Sequence, residues 1–311
     1  MASEPTIAVL NSAPAVRECR SLRLYAAMCD YWALTKPEVN FLILITTFVG
    51  FYLASPAGPG GFRILPVMNT LLATLLVAGG AGTLNQFLER SFDAQMRRTA
   101  RRPLASGKLK ASRVLCFGIS LSLIGTVFLA LAVNVLAFLL ALGTLLSYLF
   151  LYTPLKRKTP LCILVGAFPG AAPPLIGWAA ARGQLDREAW VLYTMVFLWQ
   201  FPHFMAIAWM YREDYARAGY LVLPVDERRD RYVVWQSLAV SLALVPLSLT
   251  PAIIGDAGLI YSVGALMLGL IFFYYSARLA VHRSNFAARH LLAVSIVYLP
   301  TVFILMILNK K

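Results

Sequence analysis

The chain has 311 residues, of which 59% are hydrophobic and 14% are charged, whereas an average soluble chain is about 45–50% apolar and about 25% charged. This composition excludes an ordinary soluble domain, whose interior is too small to bury so much apolar surface. The net charge of +14 would suit a nucleic-acid partner, but we expect none, because the charges cluster between long apolar runs.

Apolar runs recur along most of the chain. A bilayer-spanning helix needs about 20 mostly apolar residues, because the membrane interior holds no water to satisfy its backbone. Runs bounded by charged residues, Pro or Gly predict about nine such helices, at 39–54, 65–88, 113–131, 133–152, 161–181, 189–211, 233–252, 257–277 and 291–308. The predicted fold class is all-α, a polytopic membrane helical bundle. Residues 36–311 are expected to form one membrane-embedded domain, and residues 1–35 a flexible cytoplasmic segment.

The basic residues indicate an orientation in the membrane. With the N-terminus in the cytoplasm, the only Lys and Arg residues on the outer side are Arg63, Arg182, Arg187, Lys310 and Lys311, which satisfies the positive-inside rule. We therefore expect an outer C-terminus. The polar residues before the first predicted span do not have the layout of a cleaved signal peptide. No mitochondrial transit peptide is evident either, so we expect a bacterial inner membrane. The four cysteines are scattered and predict no disulfide framework and no zinc or iron–sulfur site.

A ladder of oxygen-bearing side chains ends the second predicted helix. Positions four apart on a helix differ by about 40° in direction and about 6 Å in height, so Asn85, Glu89 and Asp93 face the same way. Magnesium is often held by one or two carboxylates together with substrate phosphates, so these three are candidate metal ligands. Arg98 and Arg102 follow as candidate diphosphate ligands, because guanidinium groups bind phosphate oxygens in pairs. The alternative is an interfacial helix end whose acids only pair with neighbouring arginines.

A second polar segment follows the sixth predicted helix. Asp214 is a further candidate metal ligand, and Arg212 and Tyr215 are candidate phosphate ligands; an interfacial belt of ion pairs and aromatic anchors is the alternative. His203 precedes Asp214 by about 16 Å of helix and therefore lies deeper in the bilayer. Ionisable residues within a span are often functional, so His203 is either a structural histidine, an axial ligand of a haem iron or an acid–base group.

Further cations are predicted at the same membrane face. Lys156 and Arg157 stand between two prolines in a short connection, where they are either topology determinants or part of a phosphate pocket. Lys36 precedes the first span and is another candidate phosphate ligand. The connections on the opposite side are mostly short and apolar, so we expect the functional chemistry at the cytoplasmic face.

These segments together resemble the UbiA superfamily of intramembrane prenyltransferases. The superfamily pattern is the ladder at positions 85, 89 and 93 followed by a basic stretch. The segments 35–37, 85–104, 152–157, 173–178, 200–204 and 214–219 resemble, more specifically, its protohaem IX farnesyltransferase subgroup. Two positions differ from the superfamily pattern: Glu89 stands where many members have Asp, and Ala218 stands where a second Asp would follow Asp214.

The resemblance implies a nine-helix bundle that binds farnesyl diphosphate with magnesium and transfers the farnesyl group to a vinyl group of haem B with addition of water. Haem B is then a substrate rather than a cofactor. The bilayer, and haem A synthase or cytochrome oxidase assembly proteins, are further expected partners. The residues expected to act in catalysis are Asn85, Glu89, Asp93, His203 and Asp214. Ionising an allylic diphosphate requires a dry cavity, for which we expect walls from Trp178, Trp199 and Phe204.

Three other functions are compatible with parts of the pattern. A prenyltransferase of the same superfamily could use a quinone precursor or a chlorophyll-like acceptor. A transporter would spread polar groups through the bilayer midplane and often has an internal repeat, whereas here the acids and arginines concentrate at one face. A haem-binding or assembly protein without catalysis is the third alternative.

Overall fold

The computed structural model of the protein describes residues 13–56, 58, 61–222 and 227–310, with the backbone alone for residues 13–20, 23 and 227–234. Its helices are α1 (Ala13–Leu34), α2 (Pro37–Ala54), α3 (Ile64–Asp93), α4 (Ala111–Ala132), α5 (Val135–Leu146), α6 (Thr153–Leu155), α7 (Cys162–Gly170), α8 (Pro173–Arg182), α9 (Arg187–Met210), α10 (Arg212–Arg217), α11 (Glu227–Ile253), α12 (Leu259–His282) and α13 (Asn285–Leu308). A π-helical turn, Ser147–Tyr152, joins α5 to α6. No strand occurs among the described residues, which confirms the predicted all-α class.

Within the described ranges, nine helical stretches are long and apolar enough to cross a membrane, as predicted. They are Pro37–Ala54, Ile64–Asp93, Ala111–Ala132, Val135–Leu155, Cys162–Arg182, Arg187–Met210, Trp235–Ile253, Leu259–His282 and Asn285–Leu308. The predicted bounds differ most at the polar ends of helices. The last helix begins at Asn285 and not at 291, because Ser284 Oγ accepts the N–H of Ala287 at 3.2 Å and caps the first turn.

The end of α1 is attached to the bundle. Leu34 is fully buried, and its carbonyl accepts a hydrogen bond from Gln86 Nε2 on α3 at 3.0 Å. Much of the segment predicted to be flexible is therefore helical, while residues 1–12 lie outside the described residues. The division of the chain at residue 36 stays a prediction. The attachment matters for the site because it places Lys36, the next residue but one, beside α3.

Small residues let α2 and α8 approach closely. A Cβ atom at Gly177 would overlap the carbonyl oxygen of Thr47, and one at Gly50 would overlap that of Pro174. Backbones can therefore come together along this seam, as is common between membrane helices. The seam forms one wall of the bundle between the first and fifth spans.

Two spans are interrupted where they enclose the interior. The fourth passes from α5 into the π-helical turn, and the fifth breaks after Gly170, where Pro173 and Pro174 begin α8. Proline suits a first helical position because the N–H it lacks would have no helical partner there. Where a helix is interrupted inside a membrane, the backbone groups that lose their helical partners must bond to other groups. Near the break after Gly170, Gln200 Nε2 on α9 donates to the carbonyl of Ala167 at 3.2 Å.

Candidate functional site

A cavity of about 480 Å³ lies inside the bundle and reaches the end that carries the connections 94–110 and 211–222. Its deeper walls are mostly apolar and include Val77, Leu145 and Ile176. The end near the connections is polar. The cavity lining brings together these sequence-predicted site residues: Lys36, Asn85, Glu89, Asp93, Arg98, Arg102, Lys156, His203 and Tyr215.

The predicted ladder is present on the last turns of α3. Asn85, Glu89 and Asp93 are 1%, 6% and 1% exposed, and all three line the cavity. Each has one cation as its partner: Lys36 Nζ donates to Asn85 Oδ1 at 2.8 Å, Lys156 Nζ to Glu89 Oε1 at 2.8 Å, and Arg102 Nη1 to Asp93 Oδ2 at 2.7 Å. At the polar end of the cavity, Lys156 and Arg102 therefore neutralise the two carboxylates of the ladder, while Lys36 bonds to a neutral amide.

The two lysines differ in their electrostatic surroundings. Burial lowers the pKa of Lys36, which hydrogen-bonds to the neutral amide of Asn85. Burial also opposes the charge of Lys156, but Tyr152 and Glu89 outweigh it and raise the pKa of Lys156 well above its ordinary value of 10.5. Lys36 has a left-handed backbone with φ of 56°, a conformation that costs about 1–3 kcal/mol in a residue other than glycine and often occurs at functional sites.

Two tyrosines of the π-helical turn belong to the site, although sequence reasoning gave them no role. Tyr148 and Tyr152 line the cavity, with ring centroids 5.4 Å apart. The ammonium of Lys156 lies 4.5 Å from the centroid of the Tyr152 ring, close enough for a cation–π contact. Tyr148, Tyr152 and Lys156 are spaced four residues apart, and this spacing in the sequence could have indicated that they share one face of the helix.

The donor atoms of the ladder fit a hard cation. Asp93 lines the cavity, and its Oδ1 is buried and has no hydrogen-bond partner among the described residues, so this acceptor is available to a cation. In the same part of the chain no group of three or more His, Cys, Asp or Glu side chains converges. Two carboxylates and an amide oxygen match magnesium, which commonly takes one or two protein carboxylates and completes its shell with water and substrate phosphates.

Asp214 lies beside the cavity and not in its lining. Its Oδ2 accepts the backbone N–H of Arg98 at 3.1 Å, and its Oδ1 accepts from Arg217 Nη1 at 3.0 Å. Burial would raise the pKa of Asp214, but the backbone N–H groups of Arg98 and Arg97 and the charge of Arg217 outweigh it and lower that pKa. In this arrangement Asp214 ties the 94–102 connection to α10, and its role as a metal ligand stays a prediction.

Two of the predicted diphosphate ligands do not line the cavity. Arg157 lies over the ring of Phe92 with its guanidinium carbon 4.2 Å from the centroid, and Arg212 lies over Trp209 at 5.0 Å. Neither residue lines the cavity with the ladder, although Lys156 is adjacent in sequence to Arg157. Their role as diphosphate ligands stays a prediction.

His203 lines the cavity from α9, and its greater depth in the bilayer stays a prediction. Its Nδ1 is 2.8 Å from Ser295 Oγ on α13, and its ring stacks on Trp199 with centroids 4.7 Å apart. Trp199 and Phe204 line the cavity, as expected. The expectation for Trp178 was wrong: its Nε1 donates to Asp186 Oδ2 at 3.1 Å, near the other end of the fifth span.

The sequence matches a known family over most of its length. Residues 43–304 match the model of the UbiA prenyltransferase family. The chain belongs to this family. This confirms the predicted membership, and it makes the protein an integral membrane enzyme of the prenyltransferase class.

Relatives and solved structures agree with the family assignment. Protoheme IX farnesyltransferase of Solibacter usitatus (strain Ellin6076) is 48% identical, with 91% of this chain and 99% of that protein covered. The protein of the same name from Koribacter versatilis (strain Ellin345) is 40% identical, with 90% and 93% covered. A structure of a UbiA homologue from Archaeoglobus fulgidus bound to GPP and Mg²⁺ aligns with a TM-score of 0.66 at 16% identity, covering 89% of this chain and 99% of that one. The predicted UbiA-like fold and the resemblance to protohaem IX farnesyltransferases are confirmed.

Proposed function

We propose that this UbiA-family enzyme transfers the farnesyl group of farnesyl diphosphate to a vinyl group of haem B, with addition of water, and releases haem O and diphosphate. The observation that carries the proposal is the meeting of the Asn85–Glu89–Asp93 ladder with three cations at the polar end of one largely apolar cavity. The acceptor is inferred from the relatives that bear the name protoheme IX farnesyltransferase.

The polar end of the cavity would bind the diphosphate and its metal. Asn85, Glu89 and Asp93 would hold magnesium, with Asp214 as a candidate for a further contact. Bound there, magnesium supplies a Lewis acid that stabilises charge on the leaving diphosphate. Lys36, Lys156, Arg98 and Arg102 would bind phosphate oxygens, and Tyr215 lies in the same lining. Each of the three paired cations lies within 3 Å of a ladder oxygen, so the proposed phosphate ligands stand directly beside the proposed metal ligands.

The reaction breaks the allylic C–O bond, the vinyl π bond and one O–H bond of water, and it forms one C–C bond and one C–O bond. The allylic C–O bond of farnesyl diphosphate ionises, and its electron pair leaves with diphosphate. The vinyl π pair of haem B then forms the new C–C bond, and water adds to the resulting cation with loss of one proton. Apolar walls such as Val77, Leu145 and Ile176 exclude bulk water from the first cation, while the positive side chains at the polar end stabilise the departing charge.

His203 is the proposed contact to haem iron. Ser295 Oγ engages Nδ1 at 2.8 Å and Trp199 stacks on the ring, so the imidazole has a defined direction in the cavity. Nδ1 is the engaged nitrogen, which leaves Nε2 as the ligand atom; a histidine that binds a metal commonly uses its other ring nitrogen for such an orienting hydrogen bond.

The decisive experiment is mass spectrometry of haem after incubating the purified protein in nanodiscs with haem B, farnesyl diphosphate and magnesium. We expect a hydroxylated farnesyl haem that disappears with a chelator and returns when magnesium is restored. Asp93→Asn should lower the yield at least 100-fold. Asp256→Asn, an exposed carboxylate at the other end of the bundle, is the matched control and should leave the yield unchanged.

The alternatives predict other results. Diphosphate release with an aromatic or isoprenoid acceptor but none with haem B would keep the chemistry and discard the haem assignment. Solute flux without diphosphate release would indicate a transporter. Haem binding that survives Asp93→Asn, without turnover in the parent protein, would indicate a haem carrier.

We also propose that the polar end of the cavity faces the cytoplasm of a bacterium, in its inner membrane, and that haem A synthase or an oxidase assembly protein receives the product. The positive-inside count supports this orientation. Gly107→Cys and Asp256→Cys, placed in a cysteine-free background, test it: in intact cells an impermeant maleimide should label only the Asp256→Cys variant. Labelling of only the Gly107→Cys variant would reverse the orientation.

A further inference from the structure

Tyr220 carries a hydroxyl that none of the proposed steps uses. Its side chain is 4% exposed, and its hydroxyl oxygen completes no hydrogen bond among the residues that the structure describes. Burial and the nearby carboxylate of Glu89 raise the pKa of Tyr220, so Glu89 is its nearest acidic neighbour. The residue nevertheless lines the cavity together with Glu89, Asp93 and Lys156. Leaving a buried hydroxyl without a partner costs about 1–3 kcal/mol, so a ligand that supplies the missing partner is the simplest reason for this placement.

The position of Tyr220 is determined by the backbone around it. Gly219 has a φ of 70°, a left-handed conformation that glycine adopts easily, and it turns the chain back after α10. The N–H of Tyr220 donates to the Tyr215 carbonyl at 2.9 Å, and the N–H of Leu221 donates to the Lys156 carbonyl at 2.8 Å. The turn is therefore joined directly to the residue whose ammonium pairs with Glu89.

Ring packing restricts the hydroxyl further. The Tyr220 ring lies 5.8 Å from the Phe92 ring and 6.0 Å from the Tyr215 ring, measured between centroids. Phe92 precedes the last ladder residue on α3. A rigid aromatic side chain held between α3 and α10 has little freedom to find another partner, so the ring keeps its place in the lining beside Glu89 and Asp93.

The unpartnered atoms at this end are complementary. Asp93 Oδ1 is an acceptor without a donor, and Tyr220 Oη carries a donor without an acceptor, among the described residues. The acceptor suits a cation. The donor suits an anionic oxygen, because hydrogen bonds to ionised acceptors are stronger than those to neutral ones.

We propose that the Tyr220 hydroxyl donates a hydrogen bond to an oxygen of the substrate diphosphate and is a further catalytic residue for departure of this leaving group. The inference rests on the proposed function only in requiring a prenyl diphosphate as substrate. No proton is transferred. The bond strengthens as negative charge builds on the diphosphate, which is the condition for a contact that accelerates the step as well as binding the substrate.

Tyr220→Phe tests this contact, because it removes the hydroxyl and keeps the ring that packs on Phe92. Tyr298→Phe is the matched control: its hydroxyl is also buried without a partner among the described residues, but Tyr298 does not line the cavity. Binding of farnesyl thiolodiphosphate, an analogue that ionises slowly, is measured by calorimetry in nanodiscs with saturating magnesium. Farnesol serves as the ligand that lacks the diphosphate.

We expect Tyr220→Phe to weaken binding of the thiolodiphosphate by about 10–100-fold, as the loss of one hydrogen bond to a charged group implies, and to lower kcat with farnesyl diphosphate by about 10–100-fold. Farnesol binding should not change, and Tyr298→Phe should match wild type in all three measurements. A Tyr220→Phe protein with wild-type binding and turnover overturns the proposal. Equal weakening of farnesol and the analogue also overturns it, since that result indicates loss of wall packing.

A third result distinguishes contact with the diphosphate from an effect through Glu89. If Tyr220→Phe raises only the magnesium concentration required, and analogue affinity at saturating magnesium is unchanged, Tyr220 positions the ladder and the proposed contact is wrong. If wild-type protein forms no haem product, the proposed acceptor fails, while the analogue measurement still decides the role of Tyr220.

Discussion

Lys156→Met tests how the protein keeps a carboxylate buried in a membrane-embedded cavity. Lys156 Nζ lies 2.8 Å from Glu89 Oε1, and the two side chains are 14% and 8% exposed. Methionine keeps much of the aliphatic stem and removes the charge, so Glu89 loses its ion-pair partner. Breaking a buried pair on one side costs about 3–5 kcal/mol. At about 2 °C per kcal/mol for a large domain, we expect Tm to fall by about 6–10 °C.

The assay is thermal unfolding in nanodiscs without substrate, followed by tryptophan fluorescence. The double variant Lys156→Met/Glu89→Gln removes both charges, so at least half of the lost Tm should return. Lys108→Met is the control, because the Lys108–Asp30 pair is 3.9 Å long with side chains 61% and 24% exposed, and such surface pairs contribute about 1 kcal/mol at most. A Tm for Lys156→Met no lower than for Lys108→Met, or a double variant as unstable as the single one, would refute this reasoning.

Three further outcomes are expected. Because the folded-state pKa of Lys156 is raised above its ordinary value of 10.5, its stabilising contribution is complete below that value and is lost only as pH rises through the folded pKa. The Tm difference between wild type and Lys156→Met should therefore be constant from about pH 7 to about pH 9; a difference that closes within this range contradicts the assignment. Gly177→Ala brings a Cβ onto a carbonyl of α2 and should lower Tm by about 2–6 °C through overpacking. Gly143→Ala, with open space around the site, should leave Tm unchanged. Equal Tm values for the two variants would contradict the close contact between α2 and α8. Ser295→Ala removes the partner of His203 Nδ1 and should weaken haem binding, seen as a shifted Soret titration, without changing affinity for farnesyl thiolodiphosphate; an unchanged titration would separate His203 from haem.

The spans and the ladder could be predicted because both depend on local sequence. Hydropathy indicates a spanning helix since lipid satisfies no backbone group, and the four-residue spacing alone places Asn85, Glu89 and Asp93 on one face. The predicted end of the second span was too early, at 88, because charged residues mark a boundary in a hydropathy pattern. The helix continues to Asp93, where buried ion pairs neutralise those charges.

Residues that meet only through tertiary packing could not be predicted with the same success. The sequence indicated that Lys36 is cationic, but its bond to Asn85 depends on how α1 packs against α3. Arg157 and Lys156 are neighbours in sequence and point in different directions, a difference that composition does not encode. Apart from the adjacent Gly219, nothing in the sequence indicated a role for Tyr220. Its proposed role depends on a buried hydroxyl that completes no hydrogen bond among the described residues, which only the folded structure shows.

The π-helical turn at Ser147–Tyr152 changes the directions in which the side chains that follow it in the fourth span point. Such a turn holds one residue more than a regular α-helix and accommodates it locally, so a helical wheel drawn from α5 through this turn misplaces Lys156 by about 100°. Removing one lipid-facing residue there, such as Phe150, would convert the turn to regular helix and keep the direction of Lys156. The same deletion within α5 would rotate every residue that follows, as far as the polar end of the cavity. Tolerance to a change in length is therefore concentrated in this single turn of the span.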